Sequence, residues 1–109
     1  MDVLVDLRAV RPGRLAETLA TEDLTEHVRD FRVYLRGAER EPLPDGIRLR
    51  LRLELGAIAA LADLVRAEAD TLPFFAFRLL ADPPECWLEV TGTGRAAEMA
   101  RAMFGELPT

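Results

Sequence analysis

Three arginines at every second position, Arg48, Arg50 and Arg52, interleave with Ile47, Leu49, Leu51, Leu53 and Leu55. In an extended chain this spacing sends the guanidinium groups to one side and the aliphatic groups to the other. Guanidinium is a planar, permanently charged fork. It suits two-point recognition of a carboxylate or phosphate and stacking on aromatic rings. Reading the neighbouring segments by the same parity adds Arg32, Tyr34 and Arg36, Arg78, and Trp87 to that side. The residues therefore predict an open Arg/aromatic sheet face.

Such a face admits three readings. In the first it is a solvated surface whose arginines pair across strands with Glu54, Glu89, Asp2 and Asp6. In the second it is an interface, because Arg, Tyr and Trp are enriched at binding hot spots. An acidic helix of a partner, or a second copy of this chain, would suit it. In the third it binds nucleic acid: aromatics and Arg on an open sheet resemble the layout by which RNA-recognition sheets stack bases. The motif sequences of that family are absent, so the likeness is one of layout alone.

A second feature is Thr91-Gly92-Thr93-Gly94-Arg95, expected between a strand and a helix. Backbone amides at a helix N-terminus hold anions, and glycine allows close approach, so Gly92, Gly94 and Arg95 form a candidate anion site. The loop has neither the glycine spacing of a dinucleotide fingerprint nor the lysine of a P-loop. A tight strand–helix turn is the simpler reading. His27, the single histidine, has no partner at metal-ligand spacing. Cys86, the single cysteine, alternates with Leu88 and Val90 on the inward side, as a buried, inert thiol does. Serine is absent, which excludes a serine nucleophile. No catalytic residue, metal or cofactor is expected.

The chain has 109 residues, half of them apolar, with a mean hydropathy of +0.04. That length and composition suit one folded domain, 1–109, rather than a disordered chain. All 14 basic residues are Arg, against 19 Asp and Glu, for a net charge of −5. The acidic balance disfavours general nucleic-acid or anionic-membrane binding. Asp2 and Asp6 stand where a signal peptide would be basic, and no apolar run approaches a membrane span. A lone cysteine fits a reducing compartment, so a cytoplasmic protein is expected.

Periodicity supplies the elements meant to position these groups. Residues 3–10 alternate as a strand with Val3, Val5 and Leu7 on one side; Leu15, Ala16 and Leu19 open a helical pattern that slips and resumes at Leu24, Val28 and Phe31. Residues 31–36 alternate as a second strand, 37–46 read as a polar connection, and 47–55 as a third strand in a hairpin with the second. A helix is predicted over 57–72, strands over 74–81 and 86–91, and a final helix from Arg95 to about Gly105. Residues 31–65 and 75–104 share a strand–turn–strand–helix order, a candidate internal repeat of ββα type.

The sum is an α+β two-layer sandwich of about five mostly antiparallel strands with three or four helices on one face. The order strand–helix–strand–strand–helix–strand over 3–81 is similar to the ferredoxin-like arrangement with an extra strand and helix appended. That likeness implies no activity. The expected function is a noncatalytic protein-interaction module, of adaptor or immunity/inhibitor type, acting through the Arg/aromatic face and able to self-associate. The alternative is RNA or phosphate-anion binding by the same face or by the Gly92–Gly94 loop.

Overall fold

Alternating apolar residues and two amphipathic stretches fold the chain into β1 (Asp2–Leu7), a 3-10 helix (Glu26–Phe31), α1 (Arg32–Leu35), β2 (Glu39–Leu43), β3 (Gly46–Arg52), α2 (Leu55–Thr71), β4 (Ala76–Asp82), β5 (Glu85–Thr91) and α3 (Arg95–Gly105). The computed structural model describes residues 2–10 and 26–105. The helical pattern expected over Leu15, Ala16, Leu19 and Leu24 lies outside the described residues.

The strands form one five-stranded sheet in the order β1-β4-β5-β3-β2, and every neighbouring pair is antiparallel. Ile47, Leu49 and Leu51 of β3, Phe77, Leu79 and Ala81 of β4, and Cys86, Leu88 and Val90 of β5 are all buried on one face. That face lies under the helices. α2 packs on β1 and β4, while α3 covers β3, β5 and β2. The helices contribute Ile58, Leu61, Ala62 and Val65, and Ala96, Met99, Ala100, Met103 and Phe104. The α+β sandwich with helices on one face is thus as expected. No helix among the described residues is long and apolar enough to cross a membrane.

Edge-to-face rings knit the centre of this layer. Phe104 meets Phe31 at 5.4 Å, Phe75 at 6.3 Å and Phe77 at 6.5 Å between centroids. The opposed quadrupoles of such T-shaped pairs add to the burial of large apolar areas. Phe31 places the short helical segment before β2 against the last turns of α3.

That segment corrects the expected second strand. Residues 31–36 are helical, and the hairpin partner of β3 is Glu39–Leu43, inside the stretch read as a polar connection. Phe31 and Leu35 are 0% and 1% exposed, while Val33 between them is 72% exposed. Burial at i and i+4 with the middle residue outside is helical spacing, and six residues are too few for alternation to tell the two periods apart. β2 escaped notice because it is an edge strand, where charge and proline are ordinary. Its polar residues have partners instead: Arg40 Nε donates to the Phe104 carbonyl at 3.2 Å, and Arg101 Nη1 to the Leu43 carbonyl at 2.8 Å.

Smaller departures follow from local packing. β3 stops at Arg52, and Leu55, expected on the buried side, opens α2 at 69% exposure. A register shift between Val3 and Val5 sets Val3 opposite Leu80 and Val5 opposite Leu79, so Val3 does not share the inward face of Val5 and Leu7. The ferredoxin-like expectation finds no support: β5 lies in the middle of the sheet rather than appended, and among the described residues β1 is an edge strand paired only with β4. The two hairpin–helix units, β2–β3–α2 and β4–β5–α3, do share an order, but the first begins at Glu39 instead of Phe31.

Candidate functional site

The face of the sheet that no described helix covers is built by parity. Residues directly opposite in neighbouring strands share a face, and the register aligns them in rows across the sheet. One row runs Asp6, Arg78, Glu89, Arg48, Glu41, alternating in sign at every step. The next runs Val3, Leu80, Trp87, Arg50, Glu39 and is apolar over its first three members. A third holds Asp82, Glu85 and Arg52.

Distances within the rows show how the charges are held. Arg48 reaches Glu89 Oε2 through Nε at 2.9 Å and Nη2 at 2.8 Å, and Glu41 through Nη1 at 3.6 Å. Arg78 lies 3.8 Å from the other Glu89 oxygen. Glu85 takes Arg50 at 3.1 Å and Arg52 at 3.2 Å, and Arg50 also stands 3.8 Å from Glu39. The Arg50 guanidinium carbon is 5.9 Å from the Trp87 ring centroid, within cation–π range. Glu89 is the most enclosed carboxylate of these pairs, its side chain 14% exposed between two arginines.

Of the residues expected on this face, Arg48, Arg50, Arg52, Arg78 and Trp87 are there, brought together by three adjacent strands. Arg32 and Tyr34 are not. Both belong to α1, where Tyr34 packs its ring against the core. Arg36 follows α1 and stands at the margin of the face. There it shares a shallow cleft of about 240 Å3 with Gly37, Glu39, Arg50, Arg52 and Glu85. Helical winding over residues 32–35 is the reason this group separates from the ladder.

The open face is mixed in charge rather than uniformly basic. Four arginines on the open face (Arg48, Arg50, Arg52, Arg78) meet six carboxylates (Asp6, Glu39, Glu41, Asp82, Glu85, Glu89). The partners named from sequence included Glu89, but Glu54 precedes α2 and does not belong to the sheet. Glu39 and Glu41 were missed because β2 read as a loop, and Glu85 because β5 starts one residue before the expected Cys86. Leu80 was legible: it sits at even parity between Arg78 and Asp82.

The Gly92–Gly94 loop is a tight turn in which the Gly92 N–H and the Thr93 and Gly94 carbonyls are engaged. Gly92 N–H donates to the Asp45 carbonyl at 2.8 Å, Ala96 N–H to Thr93 at 3.0 Å and Ala97 N–H to Gly94 at 3.2 Å. Gly94 has a φ of 54°, the left-handed region glycine tolerates. Arg95 lies 3.6 Å from Glu98 one turn on. Cys86 is buried beneath the sheet, and burial pushes its thiol up to about 11, far from a thiolate at neutral pH. His27 falls in the 3-10 helix, its side chain outside the described residues. Among the described residues no group of His, Cys, Asp and Glu is arranged to hold a metal ion.

The chain matches no protein-family model, and comparison with curated proteins and with solved structures returns no match.

Proposed function

We propose that this chain is a noncatalytic protein-interaction module, of adaptor or inhibitor type, that docks a protein partner on the open face of its sheet. Trp87 is the anchor. One observation carries the reading: Val3, Leu80 and Trp87 line up as an apolar row on the open face, Leu80 and Trp87 half-buried there, flanked by charges already paired within the molecule. Val3 is 49% exposed. A large aromatic beside aliphatic residues, ringed by polar groups that exclude water once covered, is the usual anatomy of an interface hot spot. Arginines held by Glu85 and Glu89 are pre-ordered, so covering them costs little extra side-chain entropy. A buried thiol of raised pKa is a poor nucleophile, which supports the noncatalytic part.

A second copy of the chain is one form this partner takes. Light scattering over a concentration series tests it, with Trp87 emission as the local reporter, since the chain has a single tryptophan. Self-association predicts a doubled mass and a blue-shifted emission that Leu80→Glu abolishes. For a different partner, capture from the native host should yield a protein retained by the parent chain and by Val33→Ala. Trp87→Glu should lose it. Equal capture by the parent and both variants sinks the proposal.

One observation favours a second reading. Arg36, Arg50 and Arg52 converge on one cleft, an arrangement a phosphate group would complete. Glu85 and Glu39 in the same cleft compete for those arginines, which ranks this reading below the first. Inorganic phosphate that raises the melting temperature of the parent chain but not of Arg36→Ala would reverse the ranking.

A further inference from the structure

We propose that β1 is a strand-addition edge, built to receive an extended segment of a partner protein that carries a basic residue and alternating apolar residues. The inference is independent of Trp87 and rests on three features that meet at β1.

The first is the contrast between the two edges of the sheet. β2 is closed to further pairing: Pro42 lacks an N–H, Glu39 and Glu41 are exposed, and Arg40 and Arg101 tie the strand to α3. β1 runs six residues without proline and exposes Val3 at 49% and Leu4 at 37%. Arg66 Nη2 donates to the Leu4 carbonyl at 3.1 Å, which satisfies the register shift and leaves Val5–Leu7 in unbroken register with β4. Backbone groups along a sheet edge pair readily with an added strand.

The second is a groove of about 280 Å3 between this edge and α2, lined by Leu4, Leu55, Ile58, Ala59 and Ala62 above the Asp63–Arg66 pair. Alternate side chains of an added strand would point into it, and its lining is aliphatic. The third is the charge row, which ends at this edge on Asp6 after Arg78, Glu89, Arg48 and Glu41. Continuing the alternation requires a cation opposite Asp6, and continuing the apolar row requires an apolar side chain opposite Val3. β1 itself, Asp-Val-Leu-Val-Asp-Leu, carries no cation, and pairing of two copies centred on Leu4 would set Asp2 against Asp6. Arg8 could oppose Asp6 only in a pairing centred on Leu7, which draws on residues 8–10 beyond the strand, where the Val10 N–H is held by the Pro73 carbonyl at 2.9 Å. The occupant is therefore a basic, apolar segment of a different protein.

The test uses the full chain and two capped, fluorescein-labelled nonapeptides, one alternating valine with lysine and one alternating valine with glutamate. Anisotropy should show binding of the lysine peptide and at least tenfold weaker binding of the glutamate peptide. Asp6→Lys should weaken the lysine peptide at least tenfold and strengthen the glutamate peptide. Leu55→Glu should weaken the lysine peptide by a similar factor, while Trp87→Ala binds it as the parent does. Bound peptide should slow amide exchange within Val5–Leu7. Circular dichroism of each variant should match the parent. Equal binding of the two peptides, indifference to Asp6→Lys, or slowed exchange elsewhere overturns the proposal. So does a dimer through this edge, or failure of the lysine peptide to bind.

Discussion

Arg48 holds one oxygen of Glu89 through two nitrogens, Nη2 at 2.8 Å and Nε at 2.9 Å, while Arg78 approaches the other oxygen at 3.8 Å. Glu89 is thus the hinge of the charge row that crosses the open face. Its side chain is far less exposed than that of Arg48, 14% against 41%. Removing the carboxylate leaves two guanidinium groups facing each other across β5. Because Arg48 is still wet, solvent holds the coupling to about 1 kcal/mol in a double-mutant cycle of Arg48→Ala and Glu89→Ala. A coupling indistinguishable from zero in urea denaturation would mean that the row is decoration.

Gly46 begins β3 and is buried against β5. A Cβ built there would overlap the Val90 carbonyl oxygen and stand 2.8 Å from the Thr91 Cα, both backbone atoms that cannot swing aside. Gly46→Ala should therefore destabilise by about 2 kcal/mol through overpacking. Gly56→Ala, with nothing within 4 Å of its Cβ position, should not destabilise. Urea midpoints of the two variants check this, and equal midpoints would contradict the close approach of β3 to β5.

Cys86 makes stability fall in alkali. Its thiol has a pKa of about 11 in the folded chain against 9.0 when free, so between those values the folded state binds the proton that the unfolded state has lost. Stability is then fully present below about pH 9 and declines as the pH rises, by on the order of 2 kcal/mol at pH 11. Cys86→Ala should show a shallower decline over that window. In native buffer at pH 8 a thiol reagent should react slowly, and in urea at once. Fast native labelling would disprove burial.

Burial at 31–35 distinguishes helix from strand by mutation. Leu35→Ala should cost about 3 kcal/mol as a cavity in the core, whereas Val33→Ala at 72% exposure should stay within about 0.5 kcal/mol. A strand with all three residues inward would make both substitutions costly. Thermal melts decide between them.

The elements whose burial repeats over a long stretch were legible as sequence. Ile47, Leu49 and Leu51 alternating with Arg48, Arg50 and Arg52 dictate a strand with one dry face, because any shift of one residue would bury three guanidinium groups. The stripe through Ile58, Leu61 and Val65 dictates a helix on that dry face for the same reason. Cys86, Leu88 and Val90 likewise settled the inward side of β5, and Trp87 with it. Each of these is a local contest between burying hydrocarbon and burying charge, and the chain decides it alone.

The tertiary structure decided what lies next to what. Phe31, Val33 and Leu35 fit both periods, and contact of Phe31 with Phe104, seventy-three positions away, selected the helix. Glu39–Leu43 has no pattern of its own and is a strand because β3 offers it a ladder and α3 offers Arg40 a carbonyl. Consequently the open face acquired Glu39 and Glu41, and what alternation alone had suggested as an Arg/aromatic surface became a lattice of paired charges around Trp87. Strand order carries no free energy within a strand. It arises only from the long-range pairing of backbone groups and from the helices that each pairing lets the sheet bury.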